Sequence, residues 1–337
     1  MRITTNAILR NYKSNLGASL SNLDVARTKV MTGRQFNSAA ENPASALRAA
    51  VLERKYVRNQ DYLNMVQDAQ SFQNSQEDAA MQINTIARNL SKQYGIEALN
   101  GTNGALDIRQ TYADAWRGAQ ESLMLSLNST YEGKYVFAGS DGQEAPFKLT
   151  TAADGTQTLT YRGVDVDNGD MAVLDQLSKD TLYVDLGFGL NIDATSTVEA
   201  SSAFNTSLPG INVIGYGKDA DGVSQNMVLL CGQIADSLEK EPFDREEYIK
   251  LLDAFDAGRS NVLEKITTLG TQTEFLTTTK DRLDTNEINL TTQLDNVVNV
   301  DMAGAITDFS WAQYAYNAAL KVGTNILTPS FIDFMNS

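Results

Sequence analysis

The sequence predicts a mainly α, multi-domain rod: long N- and C-terminal helices form a shared coiled-coil stem, and a β-rich insertion sits between them. Three observations carry this. Tyr248, Phe255, Val262, Leu269, Leu276, Leu283, Leu290 and Val297 repeat every seven residues without a slip. Leu9, Leu16, Leu23 and Val30 do the same at the other end of the chain. Residues 133–222, by contrast, hold twelve of the 23 glycines and all three Asp-Gly pairs, the composition of hairpin turns.

Taken in order, the first helix carries Leu9, Leu16, Leu23 and Val30, with Tyr12, Leu20 and Ala26 on the neighbouring track. A second helix opens at Asn42-Pro43, an N-cap followed by proline in the first turn. Its seam runs Tyr62, Met65, Ala69, Phe72, Gln76, Ala79, Ile83, Ile86 and Leu90. A third helix follows the Gly101/Gly104 break, with Tyr112, Trp116, Ala119, Leu123, Leu127 and Tyr131 on one face.

The centre alternates β-prone runs, Tyr135-Val136-Phe137, Thr158–Tyr161 and Leu182–Leu186, with Asp141-Gly142, Asp154-Gly155 and Asp221-Gly222. The long C-terminal seam then opens with Asp244 and Glu247, spaced as an Asp variant of the capping box. It corresponds to roughly 75 Å of helix and is too narrow to stabilise a lone rod. A last helix places Met302, Ile306, Phe309, Tyr316, Leu320 and Leu327 on one face before Pro329. The domain organisation expected is 1–40 with 296–337 as an inner terminal coiled coil, 41–132 with 223–295 as a helical middle bundle, and 133–222 as an outer β-rich domain.

Composition excludes much chemistry. The 337 residues contain no histidine and one cysteine, with 42 acidic against 27 basic groups and a net charge of −15. Histidine-based nucleophiles and histidine- or cysteine-rich zinc sites cannot be built, and Cys231 cannot form an intrachain disulfide. Residues 1–60 carry ten basic and three acidic groups, whereas 281–337 carry two and seven. The basic leading segment alternates with leucines and lacks a phosphate loop or aromatic-basic platform. It is therefore read as facing an acidic partner helix, with no nucleic-acid role. The N-terminus has no apolar core of a cleavable signal, and Met227–Cys231 is too short to span a bilayer. These features describe a soluble chain that does not use the general secretory route.

Candidate sites have plainer explanations. Asp165–Asp170 and Asp219–Gly222 resemble pieces of calcium loops but lack the full spacing and the distal glutamate. Polar turns account for them, as for other aspartates that could serve a hydrolase. Trp116 and Trp311 are assigned to packing, and Cys231 to the apolar face of a helix as an inert thiol. No catalytic residue, metal site or cofactor is assigned.

The ends of the chain resemble the flagellin superfamily. Met1–Asn6 with the leucine heptads is similar to its opening, and Thr32–Asn37 to its next shared stretch, with Thr32 in place of serine. Within that superfamily the hook–filament junction branch is the better match. Glu41-Asn42-Pro43-Ala44-Ser45-Ala46 resembles its Asp-Asp-Pro-x-x-Ala segment, and Tyr135, Phe137 and Gly139 with Pro146-Phe147 resemble its Tyr-x-Phe-x-Gly…Pro-Phe signature. Asn289–Gly323 and Phe331–Met335 resemble its C-terminal end.

The resemblance implies a non-enzymatic, flagellin-like subunit of the bacterial flagellum, exported to the cell exterior without a cleaved signal peptide. Implied partners are an adaptor protein on the hook side, flagellin on the filament side, other copies of the chain in a ring, and a cytoplasmic export chaperone on the Met302–Leu327 face. Leu9, Leu16, Leu20, Leu23, Val30, Met302, Ile306, Phe309, Tyr316, Leu320 and Leu327 would carry the inter-subunit contacts. The alternatives are a flagellin filament subunit and, in another class, a secreted sugar-binding or carboxylate-hydrolase module in the central domain.

Overall fold

The heptads become helices where each can reach a partner. The computed structural model describes residues 5–100, 105–153, 155–193, 198–199 and 202–327. The opening tetrapeptide Met1–Thr4, the Gly101/Gly104 break, Asp154, Pro329 and Phe331–Met335 lie outside the described residues. Helix α1 (Thr5–Thr32) is followed by α2 (Pro43–Asn89), which passes into a π-helical turn over Leu90–Gly95. Next come α3 (Leu106–Leu127), α4 (Met171–Ser178), α5 (Ile211–Ile214) and α6 (Met227–Glu239). The long helices α7 (Arg245–Val298) and α8 (Met302–Leu327) follow.

The starts of these helices follow from local chemistry. The Asn42 Oδ1 accepts from the Ser45 N–H at 3.1 Å, and Pro43 is the first helical residue, as the sequence predicts. Asp244 caps α7 through the N–H groups of Glu246 (2.9 Å) and Glu247 (3.1 Å). The expected reciprocal bond does not form. Glu247 turns instead to the Lys240 ammonium, at 2.6 and 2.8 Å, where a charge partner outcompetes a neutral backbone donor.

Contacts divide the chain into two units, Met1–Gln60 with Asp284–Ser337, and Asp61–Leu283. In the second unit the α7 heptad does what its spacing predicts: Tyr248, Phe255, Val262, Leu269, Leu276 and Leu283 are all buried. Trp116 meets Phe255 edge-on at 4.9 Å between ring centres. Helix α6 lies against α3, buried nearly all round, including Cys231. Arg117 on α3 forks onto Glu239, with one bond of 2.8 Å, and reaches Asp236 at 3.0 Å.

The described residues of the β-rich segment form three small antiparallel sheets. Strands β1 (Thr130–Tyr131) and β2 (Lys134–Tyr135) make a hairpin. Strands β3 (Phe147–Thr151), β4 (Gln157–Tyr161) and β5 (Val164–Asp165) make a meander, and β6 (Tyr183–Val184) pairs with β7 (Phe204–Asn205). The turns differ in part from expectation. Both two-residue hairpins use positive φ at both central residues, Glu132-Gly133 (49° and 78°) and Arg162-Gly163 (49° and 84°), the mirror-image turn that suits strand twist. Gly155 does turn β3 into β4. Asp141-Gly142 instead lies in a loop beside β2, and Asp221-Gly222 closes only the isolated bridge between Lys218 and Ser224. An Asp-Gly pair supplies turn conformations in loops as readily as in hairpins. Likewise Val136 and Phe137 are buried without being strand residues.

The calcium-like fragments are occupied by their own backbone. Asp165 accepts from the N–H groups of Asp167 and Asn168, and Asp170 caps α4 through Ala172. Among the described residues, no group of three or more acidic, cysteine or histidine side chains could hold a metal ion, and no helix is long and apolar enough to cross a membrane.

Candidate assembly surfaces

The first unit packs its stem helices on one another. Helices α1 and α8 are its main pair, and their approaches are joined by backbone bonds. The Gln35 N–H donates to the Val298 carbonyl (2.8 Å), and the Val300 N–H to the Gly33 carbonyl (3.0 Å). Gly323 on α8 is buried, and a Cβ there would collide with the Tyr12 ring and hydroxyl, so the close crossing of α1 requires glycine. Lys29 lines a groove of about 340 Å³ together with Asp301 and Asp308, which sets the basic first helix beside acidic groups of the last segment.

What the pair buries is small. Among the described residues of this unit, only Leu52, Leu290 and Ala305 are buried apolar side chains. The expected faces do meet, but incompletely. Leu16, Leu23, Val30, Phe309 and Tyr316 are half-buried, while Leu9, Leu20, Met302, Ile306 and Leu320 remain exposed. Leu327 ends α8; its side chain lies outside the described set.

A second row was not legible as a stripe: Ile8, Val25 and Met31 on α1, and Tyr314 and Val322 on α8, are also exposed. Trp311 corrects the packing expectation, being 70% exposed. A single periodic stripe identifies one face of a helix; α8 carries apolar groups on more than one. Exposed apolar groups are therefore spread over more than one side of α8.

In the second unit, Asn42 and Pro43 having served the α2 cap in the first, the remaining motif residues Tyr135, Phe137, Gly139, Pro146 and Phe147 gather where strands meet helices. Phe137, Pro146 and Phe147 are buried, and Tyr135 is half-buried. The Phe137 carbonyl accepts from the Tyr161 hydroxyl (3.1 Å) and the Gly210 N–H (2.8 Å), and the Val136 carbonyl from Gln76 of α2 (2.8 Å). Phe147 packs on Tyr161 at 4.9 Å, and the Pro146 carbonyl accepts from the Arg162 N–H.

Gly139 has φ +76°, and a Cβ there would press on the Asp180 carboxylate. That carboxylate accepts from the Ser140 N–H (2.9 Å) and hydroxyl (2.6 Å) and from Arg162 (2.9 Å). Burial opposes its charge, but these Ser140 bonds and the Arg162 guanidinium together hold Asp180 below the usual carboxylate range. The motif is thus a brace for the β segment.

Two braces were invisible in sequence. Arg109, almost wholly buried, donates to the Leu238 and Lys240 carbonyls at 2.9 and 3.0 Å, where it closes the C-terminal end of α6 and stacks on Phe243. Gln120 and Gln157 exchange amide bonds of 2.7 and 3.2 Å and so tie β4 to α3. Neither belongs to a periodic pattern. Burial pushes the Cys231 thiol well above its ordinary range, as an inert core group requires.

Comparison with known proteins agrees with this architecture. The bacterial flagellin N-terminal helical region matches residues 3–141. Flagellar hook-associated protein 3 of Salmonella typhimurium is 25% identical over 334 residues, 97% of each chain, and that of Escherichia coli K12 is 24% identical over 88% of each. The solved structure of a putative flagellar hook-associated protein from Vibrio parahaemolyticus shares the fold at TM-score 0.59 and 16% identity, over 77% of this chain and all of that one. Along nearly its whole length the chain is similar to flagellar hook-associated protein 3, and its first part to the flagellin N-terminal helical region.

Proposed function

We propose that the chain is a structural subunit of the bacterial flagellum, forming the junction between the hook-side adaptor protein and the flagellin filament. The observation that carries this is similarity to hook-associated protein 3 over 97% of both chains, which includes the stem helices whose apolar faces stay open. We read residues 1–40 with 296–337 as the inner coiled-coil domain, 41–132 with 223–295 as the helical middle domain, and 133–222 as the outer β-rich domain.

The faces through Leu9, Leu16, Leu20, Leu23 and Val30, and through Met302, Ile306, Phe309, Tyr316, Leu320 and Leu327, would pack against neighbouring copies in a ring. A cytoplasmic chaperone would cover the latter face before export to the cell exterior. The subunit acts by packing and needs neither cofactor nor catalysis. Deleting the gene tests the reading: hooks that keep the adaptor but shed flagellin, with retention restored by the full chain, are expected. Unchanged filaments in the deletion strain would overturn it. A chain that polymerises on filament seeds into long filaments would make it a flagellin.

A further inference from the structure

Two surfaces outside the stem pair are complementary in charge. On α2, Leu47, Val51, Arg54 and Arg58 fall at helical spacing, with Arg48 and Lys55 beside them. All but the half-buried Val51 are exposed, and Leu47 is 68% exposed. Among the described residues, none of these four cations makes an ion pair; Arg27, Arg109, Arg117, Arg162 and Arg259 do. In a chain of net charge −15, such a stripe is a local inversion of the field.

The second surface lies within residues 61–283. A groove of about 500 Å³ has Met65, Phe72 and Tyr135 in its floor and Asp68, Glu132 and Asp141 on its rim, with Lys134 its one basic lining group. Asp141 is 3.8 Å from Arg162, while Asp68 and Glu132 have no ion pair among the described residues.

We propose that the groove receives the 47–58 stripe of a second copy of the chain, with Leu47 and Val51 on the apolar floor and Arg54 and Arg58 on the Asp68–Glu132 rim. Two different surfaces meeting between copies make a contact that repeats from one subunit to the next. Acidic copies also repel, so a contact that seats cations on acids is the one their field selects. The inference rests on the multi-subunit reading above and adds where the copies touch.

The test uses the purified full chain. Leu47→Cys and Met65→Cys variants, a pair that meets on the groove floor and leaves the acidic rim intact, are mixed under mild oxidation; the buried native Cys231 stays silent. Disulfide-linked dimer about tenfold above either variant alone is expected, and it disappears when Arg54→Glu/Arg58→Glu is added. Asp68→Arg/Glu132→Arg in the Met65→Cys chain then restores dimer to the Arg54→Glu/Arg58→Glu partner. Circular-dichroism melts like the parent's show that each variant is folded.

A mixture with no more dimer than the single variants overturns the proposal, as does dimer indifferent to charge reversal. Neither outcome touches the junction reading, which stands or falls on filament retention in the deletion strain.

Discussion

Replacing Phe255 by alanine perturbs the point where the α7 heptad meets α3. The Phe255 side chain is fully buried and meets the equally buried Trp116 at 4.9 Å. Losing such a ring forfeits about 1.5–3 kcal/mol of transfer free energy. A cavity beside a rigid indole raises the total to about 3–5 kcal/mol, within which the edge-on pair accounts for about 0.5–1.5 kcal/mol. At roughly 2–4 °C per kcal/mol for a unit of this size, a loss near 4 kcal/mol lowers Tm by about 8–16 °C.

The two tryptophans suit the assay, since Trp116 is buried in the second unit and Trp311 exposed in the first. In a Trp311→Phe background, urea unfolding followed by Trp116 fluorescence reports the second unit alone. The matching truncation on α1, Leu20→Ala, changes that midpoint by less than about 0.5 kcal/mol, because Leu20 is exposed and belongs to the other unit. A Phe255→Ala loss below about 1 kcal/mol would refute the assignment of the α7 seam to the core.

Gly210→Val should cost about 1–3 kcal/mol, because its Cβ would press on the Phe147 ring and on Phe137; a urea melt checks it. Arg117→Met should cost less than about 1 kcal/mol despite three carboxylate bonds, since Arg117 is partly exposed, as measured by the same melt at low and high salt. The Asp180 carboxyl is held below its ordinary pKa, so its contribution is complete above the unfolded carboxylate value and is lost as pH falls through the lower folded one. Stability of the parent and of Asp180→Asn should therefore differ near neutrality and converge in acid. Cys231 should resist a thiol reagent in the native chain and react only on unfolding.

Much of this was legible because burial follows period. The seven-residue repeat from Tyr248 to Leu290 names the buried face of α7, and Asn42-Pro43 names the start of α2. What escaped depends on tertiary partners. Arg109 is buried because α6 ends beside it, and Gln120 because it meets Gln157; side-chain spacing carries neither fact. Trp311 misled for the opposite reason. An aromatic among helical apolar positions reads as core, and only the structure places it on a side of α8 that the paired face leaves open. The Tyr135–Phe147 motif shows in sequence only as a resemblance, because its burial and its link to Asp180 depend on tertiary partners.

Among the described residues, nearly all buried apolar side chains fall within residues 61–283, and the stem helices bury too little to be stable alone. Native-state hydrogen exchange on the dilute, purified chain tests it directly. The account predicts strong protection in α6 and along the buried α7 seam from Tyr248 to Leu283, with α1 and α8 exchanging at rates near those of an unstructured chain. Protection of residues 7–30 and 305–324 equal to that of the α7 seam would contradict it.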